Sequence, residues 1–195
     1  MDGLTFVGSL PPARRRPAAD LLFDAFQSKF APLLGGRSHA VALFAACLHP
    51  DRAFVALRQG ELVGLAGLHY AEKRFLEFPW PAVAAEYGLL AALPRALVLR
   101  FIGSPAVPGE LSVDFLAVAE GWRGRGIGTR LLHEVFALAR AEGLRAVRLD
   151  VVDTNPAARR LYERLGFSPT STLRLPLLFR PAGFSALTTM VKPLS

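Results

Sequence analysis

Cysteine and lysine are scarce in this chain of 195 residues, and each shortage excludes a class of site. The single cysteine, Cys47, cannot form a disulfide within the chain, and we expect it to fill the core of a protein in a reducing compartment. Lysine occurs only at positions 29, 73 and 192, and none of these follows a glycine-rich stretch. The Gly-Lys-Ser/Thr signature of the P-loop nucleotide-binding proteins is therefore absent.

Long apolar runs are missing as well. The most apolar stretch, Leu89 to Ile102, is interrupted by Pro94, Arg95 and Arg100. It is also shorter than the ~20 residues that a membrane span requires. The first residues contain no uninterrupted apolar segment of the kind found in signal peptides. We therefore expect a cytoplasmic protein without a membrane partner.

The net charge is +7, and arginine supplies almost all of the positive charge. Such an excess suits an anionic ligand, an acidic acceptor or nucleic acid. The arginines are scattered, however, and no basic stripe alternates with aromatic residues. We therefore expect no nucleic-acid partner. Length and apolar content predict one domain over residues 1–195 with a substantial core.

The most informative pattern is a glycine-rich basic turn between a strand and a helix. Leu111 to Val118 is an apolar run that predicts a buried strand, and a helical apolar period begins at Ile127. Glycines in the turn permit positive φ angles and close approach of a ligand, and a helix N-terminus attracts anions. Arginines suit phosphate oxygens. A diphosphate-binding loop is predicted at Arg123, Gly124, Arg125, Gly126, Gly128 and Arg130.

The glycine spacing decides which diphosphate is expected. A Rossmann dinucleotide-binding loop needs G-x-G-x-x-G, whereas the third glycine here comes one residue early. The acidic residue that binds ribose about 20 residues later has only Glu142 as a candidate. The pattern Arg123-x-x-Gly126-x-Gly128 resembles instead the acyl-CoA pyrophosphate loop of the GNAT family of N-acyltransferases.

A second motif supports the same resemblance. Asn155-Pro-Ala-Ala-Arg-Arg-Leu-Tyr162-Glu-Arg-Leu-Gly166-Phe167 is similar to the GNAT segment in which an Asn precedes a helix with Leu-Tyr-Glu, followed by Gly-Phe. The likeness is best over 110–168 and looser over 4–70. It fails over 71–109, an aromatic stretch that we interpret as an insertion before the fourth strand. This insertion is a candidate acceptor lid, a flap packed on the core, or a homodimer surface.

The resemblance implies an α/β fold with a mixed, mostly antiparallel sheet, flanked by helices and splayed between its fourth and fifth strands, with coenzyme A in the gap. The residue patterns themselves predict strands at Leu4–Leu10, Ala53–Leu57, Leu62–Tyr70, Leu111–Val118, Ala146–Val152, Phe167–Phe179 and Phe184–Val191, with a hairpin turn at Gln59-Gly60. They predict helices from Pro17, after a Ser38 cap, at Pro81–Leu93, at Pro94–Ile102, from about Gly128 and after an Asn155 cap.

Roles follow from the resemblance by position. The backbone of the fourth strand should hold the pantetheine arm, the glycine turn the pyrophosphate, and Asn155 the cofactor, although a helix cap needs no ligand. Tyr162 is the implied general acid, while its place on an apolar stripe is also typical of a core aromatic. No metal is expected. The implied acetyl-CoA contacts are Leu116, Ala117, Val118, Arg123, Gly124, Arg125, Gly126, Ile127, Gly128, Thr129, Asn155 and Tyr162.

The general base is where this chain departs from the family. Some members carry a Glu on the fourth strand where this chain has Ser112. Asp114, two residues on, lies on the same face if the strand alternates regularly. Asp150 precedes Tyr162 by twelve residues, as a candidate base does in ribosomal-protein alanine acetyltransferases. Either carboxylate could instead be structural, and of the two we prefer Asp114.

The sequence thus predicts an N-acetyltransferase that moves an acetyl group from acetyl-CoA to a primary amine of a small molecule or protein by direct attack. The alternative is a non-catalytic acyl-CoA-binding regulatory module that kept the loop and lost the base. The acceptor itself is not encoded in either motif.

Overall fold

A computed structural model describes residues 3–99, 106–174 and 183–194 of the chain. Its strands are β1 (Leu4–Val7), β2 (Ala53–Arg58), β3 (Glu61–Tyr70), β4 (Lys73–Arg74), β5 (Glu110–Val118), β6 (Ala146–Val152), β7 (Ser168–Arg174) and β8 (Ala186–Pro193). Its α-helices are α1 (Arg15–Leu34), α2 (Arg37–Cys47), α3 (Trp80–Tyr87), α4 (Leu89–Leu99), α5 (Ile127–Ala141) and α6 (Pro156–Arg164). None of these helices is long and apolar enough to cross a lipid bilayer.

The strands form one mixed sheet in the order β1-β2-β3-β5-β6-β8-β7, and the short β4 pairs with β3. Every pair is antiparallel except β5 with β6, which is parallel. The predicted hairpin turn is confirmed between β2 and β3, where Gln59 and Gly60 have φ angles of 50° and 82°. The fold is the mixed α/β architecture that the resemblance implied.

Two apolar clusters cover the two faces of the sheet. On one, the α1 face, α1, α2 and the α3–α4 hairpin pack on Leu65, Phe75 and Phe115. On the other, the α5 face, α5 and α6 pack on Leu111 and Val113. Glycines of β3 permit close packing on both faces, since a methyl group at Gly64 would come within 2.8 Å of Ile127. At Gly67 it would come within 2.3 Å of Phe75.

The sheet opens between β5 and β6. Their parallel ladder begins at Glu110 with Ala146 and ends at Val113 with Leu149. Beyond that pair, β5 continues beside β3 as far as Val118, and β6 continues beside β8 as far as Val152. We call the diverging segments, Asp114–Val118 and Asp150–Val152, the fork. The predicted splay between the fourth and fifth strands is confirmed, with β4 as an additional short strand.

Helix boundaries differ from prediction in the 71–109 region. A break was predicted at Pro94, but α3 ends at Tyr87. Gly88, whose φ angle of 74° favours glycine, separates it from α4, and Pro94 lies inside α4. A proline within a helix removes one backbone hydrogen bond, and the neighbouring turns of α4 continue the helix around it. The end of the predicted helix Pro94–Ile102, residues 100–102, and the end of the predicted strand Phe167–Phe179, residues 175–179, lie outside the described residues.

Two further boundaries were wrong. Ser38 was predicted to cap α2, but the extended Gly36 precedes the first helical residue, Arg37, so Ser38 lies in the first turn. The first strand ends at Val7 rather than Leu10, because the chain turns away from β2 before the two prolines. The cap of α6 is confirmed, since Asn155 Oδ1 accepts a hydrogen bond of 3.1 Å from the Ala158 N–H.

Candidate active site

The fork exposes a strand edge beside a helix N-terminus. Between Asp114 and Val118, β5 has β3 on one side, and its pairing with β6 has already ended. An unpaired strand edge presents a row of backbone N–H and C=O groups to a ligand. After Val118 the chain makes a short 3-10 turn at Glu120–Trp122 and enters the glycine turn that leads into α5.

In the glycine turn, residues 123–129, the predicted positive φ angles are found at Gly124 and Gly126, whereas Gly128 already lies inside α5. Gly124 has a φ angle of 73°, and no described atom lies within 4 Å of where a Cβ would stand. Gly126 is the N-cap of α5 in the left-handed conformation, with φ 79° and ψ 1°. A glycine cap has no side chain to bond the first N–H groups of the helix, which leaves them available to an anion.

The arginines around this turn have partners of different kinds. Arg123 Nε donates a hydrogen bond of 3.1 Å to the Val118 carbonyl, which closes the turn onto the end of β5. Arg125 stacks its guanidinium 4.8 Å from the Trp122 ring centroid. Arg130 pairs with Glu134 at 2.7 Å, one turn along α5. Arg123 and Arg125 thus keep most of their N–H donors unused by these contacts.

Tyr162 belongs to the apolar cluster on the α5 face. It is buried on α6 with its ring 5.9 Å from that of Phe167, and burial raises its pKa to about 12. The phenol is therefore neutral at physiological pH and able to donate a hydrogen bond.

The two candidate carboxylates lie where the strands separate. Asp114 follows Val113, and Asp150 follows Leu149, the last residues that pair across β5 and β6. Asp114 is also the extra residue of a β-bulge, because Val113 pairs with Leu68 and Phe115 with Gly67. Bulges interrupt the strict alternation of side chains. Strand periodicity therefore does not decide which face Asp114 occupies.

Asp150 is held by a neighbouring strand. Its Oδ1 accepts a hydrogen bond of 2.7 Å from the Thr189 hydroxyl, the residue opposite it on β8. Leu149 and Val151 belong to the cluster on the α5 face, so Asp150 lies on the α1 face. The structure brings Asp114, Asp150 and the β5 edge together at the fork. Asn155 is exposed at the start of α6, where its side chain caps the helix.

Sequence reasoning missed the polar groups at the base of the fork. Glu110 and Arg148 form an ion pair of 2.9 Å that joins β5 to β6. His69 of β3 and Ser112 of β5 are register partners, and both are buried. The alternation of Arg148 with Val147 and Leu149 was visible in the sequence. The pairing of His69 with Ser112 was not, since it depends on a register between strands 43 residues apart in sequence.

Two other features lie apart from the fork. Cys47 is buried, and burial raises the pKa of its thiol to about 11, as expected for a core residue that does not act as a nucleophile. It lines a surface pocket of about 330 Å³ with His49 and Glu77, and no residue of β5, β6 or the glycine turn lines that pocket. In residues 3–99, 106–174 and 183–194, no three His, Cys, Asp or Glu side chains are grouped to hold a metal ion.

Comparison with known proteins agrees with this geometry. The sequence model of the acetyltransferase (GNAT) family matches residues 19–167. A protein named probable N-acetyltransferase camello, from Xenopus tropicalis, is 39% identical over 69 residues, which make up 35% of this chain and 32% of that protein. The match therefore spans about a third of the length of that relative.

Solved structures show the same fold at low sequence identity. A GCN5-related N-acetyltransferase from Kribbella flavida has a TM-score of 0.65 and 22% identity, covering 99% of each chain. A structure from Salmonella typhimurium, solved with its cofactor acetyl-CoA, has a TM-score of 0.62 and 16% identity, covering 100% of this chain and 95% of the other. Because the family match runs through β5, the glycine turn, β6 and α6, the chain belongs to the GNAT family of acetyltransferases.

Proposed function

We propose that this protein transfers an acetyl group from acetyl-CoA to a primary amine of a small molecule or protein, by direct attack of the amine. The observation that supports it most is the fork, where β5 and β6 part after Val113 and Leu149 beside the N-terminus of α5. An acyl donor with a pyrophosphate at one end and an extended amide-containing arm fits a helix N-terminus followed by an open strand edge.

Acetyl-CoA would supply an acetyl group activated as a thioester. The residues present fit its carrier, because the backbone at Gly124 is open and the first N–H groups of α5, after the left-handed Gly126, have no side-chain cap. In this proposal the glycine turn, with Arg123, Gly124, Arg125, Gly126, Ile127, Gly128 and Thr129, holds the pyrophosphate. The backbone of Leu116, Ala117 and Val118 holds the pantetheine arm, and Asn155 lies beside it.

The Val118 carbonyl indicates which edge of β5 would serve this arm. It accepts a hydrogen bond from Arg123 Nε, which ties the glycine turn to the last residue of the strand. Backbone groups of alternate residues point to the same edge of a strand, so Leu116 would present its N–H and C=O on the side used by Val118. On this edge the Val118 N–H would then stabilise negative charge on the thioester oxygen, whereas the backbone groups of Ala117 point to the β3 side.

Tyr162 is proposed to donate to the leaving sulfur. Burial raises the pKa of Tyr162 to about 12, above the ordinary thiol pKa of about 8.5, so full transfer of the phenol proton to the leaving thiolate would be unfavourable. We infer that Tyr162 acts mainly by donating a hydrogen bond to the developing thiolate. The burial of Tyr162 favours that role, since hydrogen bonds are stronger in surroundings of low dielectric constant.

The attacking amine must lose a proton. An amine with a pKa of ~10.4 is only about one part in a thousand neutral near pH 7.4, so a base near the fork would raise the reactive fraction. Asp114 and Asp150 both lie at the fork, and Asp150 accepts a hydrogen bond from Thr189. We propose Asp114 as the base because it lies on β5, the strand that would hold the acyl arm, with Asp150 as the alternative.

Thiol release from acetyl-CoA across a panel of primary amines tests this function. The wild-type protein is expected to release coenzyme A only in the presence of an accepted amine. Tyr162→Phe is expected to bind acetyl-CoA as tightly as the wild type but to release coenzyme A more slowly. Binding without release for every amine would identify a non-catalytic acyl-CoA-binding module instead. Absence of acetyl-CoA binding would contradict both functions.

A further inference from the structure

Helix α4 displays an apolar surface that nothing in the proposed reaction uses. Among the described residues, six large apolar side chains are exposed, and four of them are leucines of α4. We call these the leucine stripe. They are Leu89, Leu90, Leu93 and Leu97, with exposed fractions of 71%, 94%, 67% and 62%. Contiguous apolar groups of this kind on a soluble surface usually mark an interaction site.

The opposite side of α4 is already occupied. Ala92 and Leu99 are buried in the cluster on the α1 face, and Ala96 packs against it. Helix α4 is therefore apolar on two sides, one covered by its own chain and the other exposed. Helices that are apolar all round are normally buried all round. This pattern indicates that a second body covers the leucine stripe.

The hairpin that carries the stripe is fixed to the rest of the protein. The Tyr87 hydroxyl donates a hydrogen bond of 2.8 Å to the Leu34 carbonyl at the end of α1. Glu86 lies 2.6 Å from His39 of α2. The leucine stripe is consequently presented on a defined scaffold, as a specific interface requires.

The spacing of the leucines selects the kind of partner. Leu90, Leu93 and Leu97 are separated by three and then four residues, which is the a/d spacing of helices that pack side by side. Knobs with this spacing fit between the side chains of another helix. A flat lipid surface would not require that spacing.

Charge points to a second copy of this chain as the source of that helix. Over residues 80–99 the only charged residues are Glu86 and Arg95. Glu86 is paired with His39, and Arg95 bonds the Ala91 carbonyl at 2.8 Å and stacks on Tyr87. Residues 80–99 thus offer an anionic membrane a single arginine, whereas basic membrane contacts use clusters of about 4–8 Lys or Arg residues. Each copy carries a net charge of +7, so two copies repel each other. The repulsion would be smallest if they met through their nearly neutral α3–α4 hairpins.

We propose that the leucine stripe is a homodimer interface in which α4 packs against α4 of a second copy about a twofold axis. A twofold interface uses the same patch on both subunits, so the leucine stripe of one copy would pack against the leucine stripe of the other. Eleven residues of helix extend ~16 Å, which makes the interface smaller than the ~800 Å² per partner of a standard complex. The dimer is therefore expected to dissociate on dilution. This inference is independent of the proposed function.

Sedimentation velocity across a dilution series tests the interface. Wild-type protein is expected to change from dimer to monomer on dilution, and Leu93→Glu/Leu97→Glu to remain monomeric, with dimerisation weakened at least ~100-fold. Leu173→Glu is the matched control, since Leu173 is a similarly exposed leucine on β7. It should dimerise like the wild type. A wild type that is monomeric throughout, or a double variant that still dimerises, would overturn the proposal.

Disulfide trapping provides a second test that does not depend on weakening the fold. Leu93→Cys is expected to form a cross-linked dimer on mild oxidation, whereas Leu173→Cys should not. Cys47 is buried and should not compete. Equal cross-linking of the two variants would overturn the proposal. A membrane contact would also overturn it. In that case monomeric wild type would bind vesicles of phosphatidylcholine and phosphatidylglycerol, and Leu93→Glu/Leu97→Glu would abolish that binding.

Discussion

Asp114 and Asp150 occupy equivalent positions on two parallel strands: each is the first residue beyond the last pair that joins β5 to β6. Their surroundings differ. Asp150 accepts a hydrogen bond from Thr189 on the neighbouring β8, while Asp114 lies in the bulge of β5, between Val113 and Phe115, which pair with Leu68 and Gly67 of β3. The Asp150 carboxylate is thus held by β8, and Asp114 lies at the bulge of β5.

This difference predicts unequal effects of neutralising the two residues. Asp114→Asn is expected to lower kcat/KM about 100-fold by removing the base, with an unchanged affinity for acetyl-CoA. Asp150→Asn should cost only a few-fold, because an amide oxygen can still accept from Thr189. Asp51→Asn, at an exposed site outside the fork, is the control. A large loss in Asp150→Asn and a small one in Asp114→Asn would assign the base to Asp150.

Tyr162→Phe separates catalysis from binding. Removing a hydroxyl that donates to the leaving sulfur should lower kcat by about 100-fold, while the dissociation constant for acetyl-CoA changes little. Calorimetric titration and initial rates measure the two quantities. If kcat were unchanged, Tyr162 would be only the core aromatic that its apolar stripe also predicts.

Burial of Tyr162 also predicts how stability depends on pH. Because its pKa is about 12 in the folded protein and near 10 when unfolded, the unfolded chain releases this proton first as pH rises. The stabilisation is complete below pH 10 and is lost as the pH approaches 12. Between pH 9 and 11 the free energy of unfolding should fall by about 1 kcal/mol more in wild type than in Tyr162→Phe. Denaturant titrations at both pH values measure this, and equal falls would contradict it.

Two glycines at opposite ends of α5 give a matched test of the glycine turn. Gly124 and Gly143 have φ angles of 73° and 67°, and a Cβ at either meets no described atom within 4 Å. Alanine at either position should therefore cost about 1 kcal/mol of stability through backbone strain alone. Only Gly124→Ala should also weaken acetyl-CoA binding, by tenfold or more, because the added methyl group narrows the anion site. Equal affinities in both variants would place the pyrophosphate elsewhere.

Local sequence patterns predicted much of the fold. The 3.6-residue period after Ile127, the cap at Asn155 and the Gln59-Gly60 turn of the β2–β3 hairpin each depend on neighbours in sequence, and the structure agrees with them. The break at Gly88 was missed because a proline six residues later is usually the stronger signal for a helix end.

Features that depend on the register between strands could not be predicted from the sequence. The fork begins at Val113 because that residue pairs with Leu149, 36 positions away, and no local pattern fixes where such a ladder ends. The bulge at Asp114 is likewise a property of β3 and β5 together. The resemblance to the family predicted correctly which two strands separate, and the structure shows that they separate after Val113 and Leu149. The assignments of individual site residues, the single domain over 1–195 and the cytoplasmic location stay predictions.

Hydrogen exchange with and without acetyl-CoA tests the location of the site most directly. The proposed function predicts that acetyl-CoA slows exchange of the amides in 114–118 and 123–129, the open edge of β5 and the glycine turn, and leaves the α3–α4 hairpin unchanged. Protection confined to other segments, with β5 and the glycine turn unaffected, would contradict the claim that the fork holds the acyl donor.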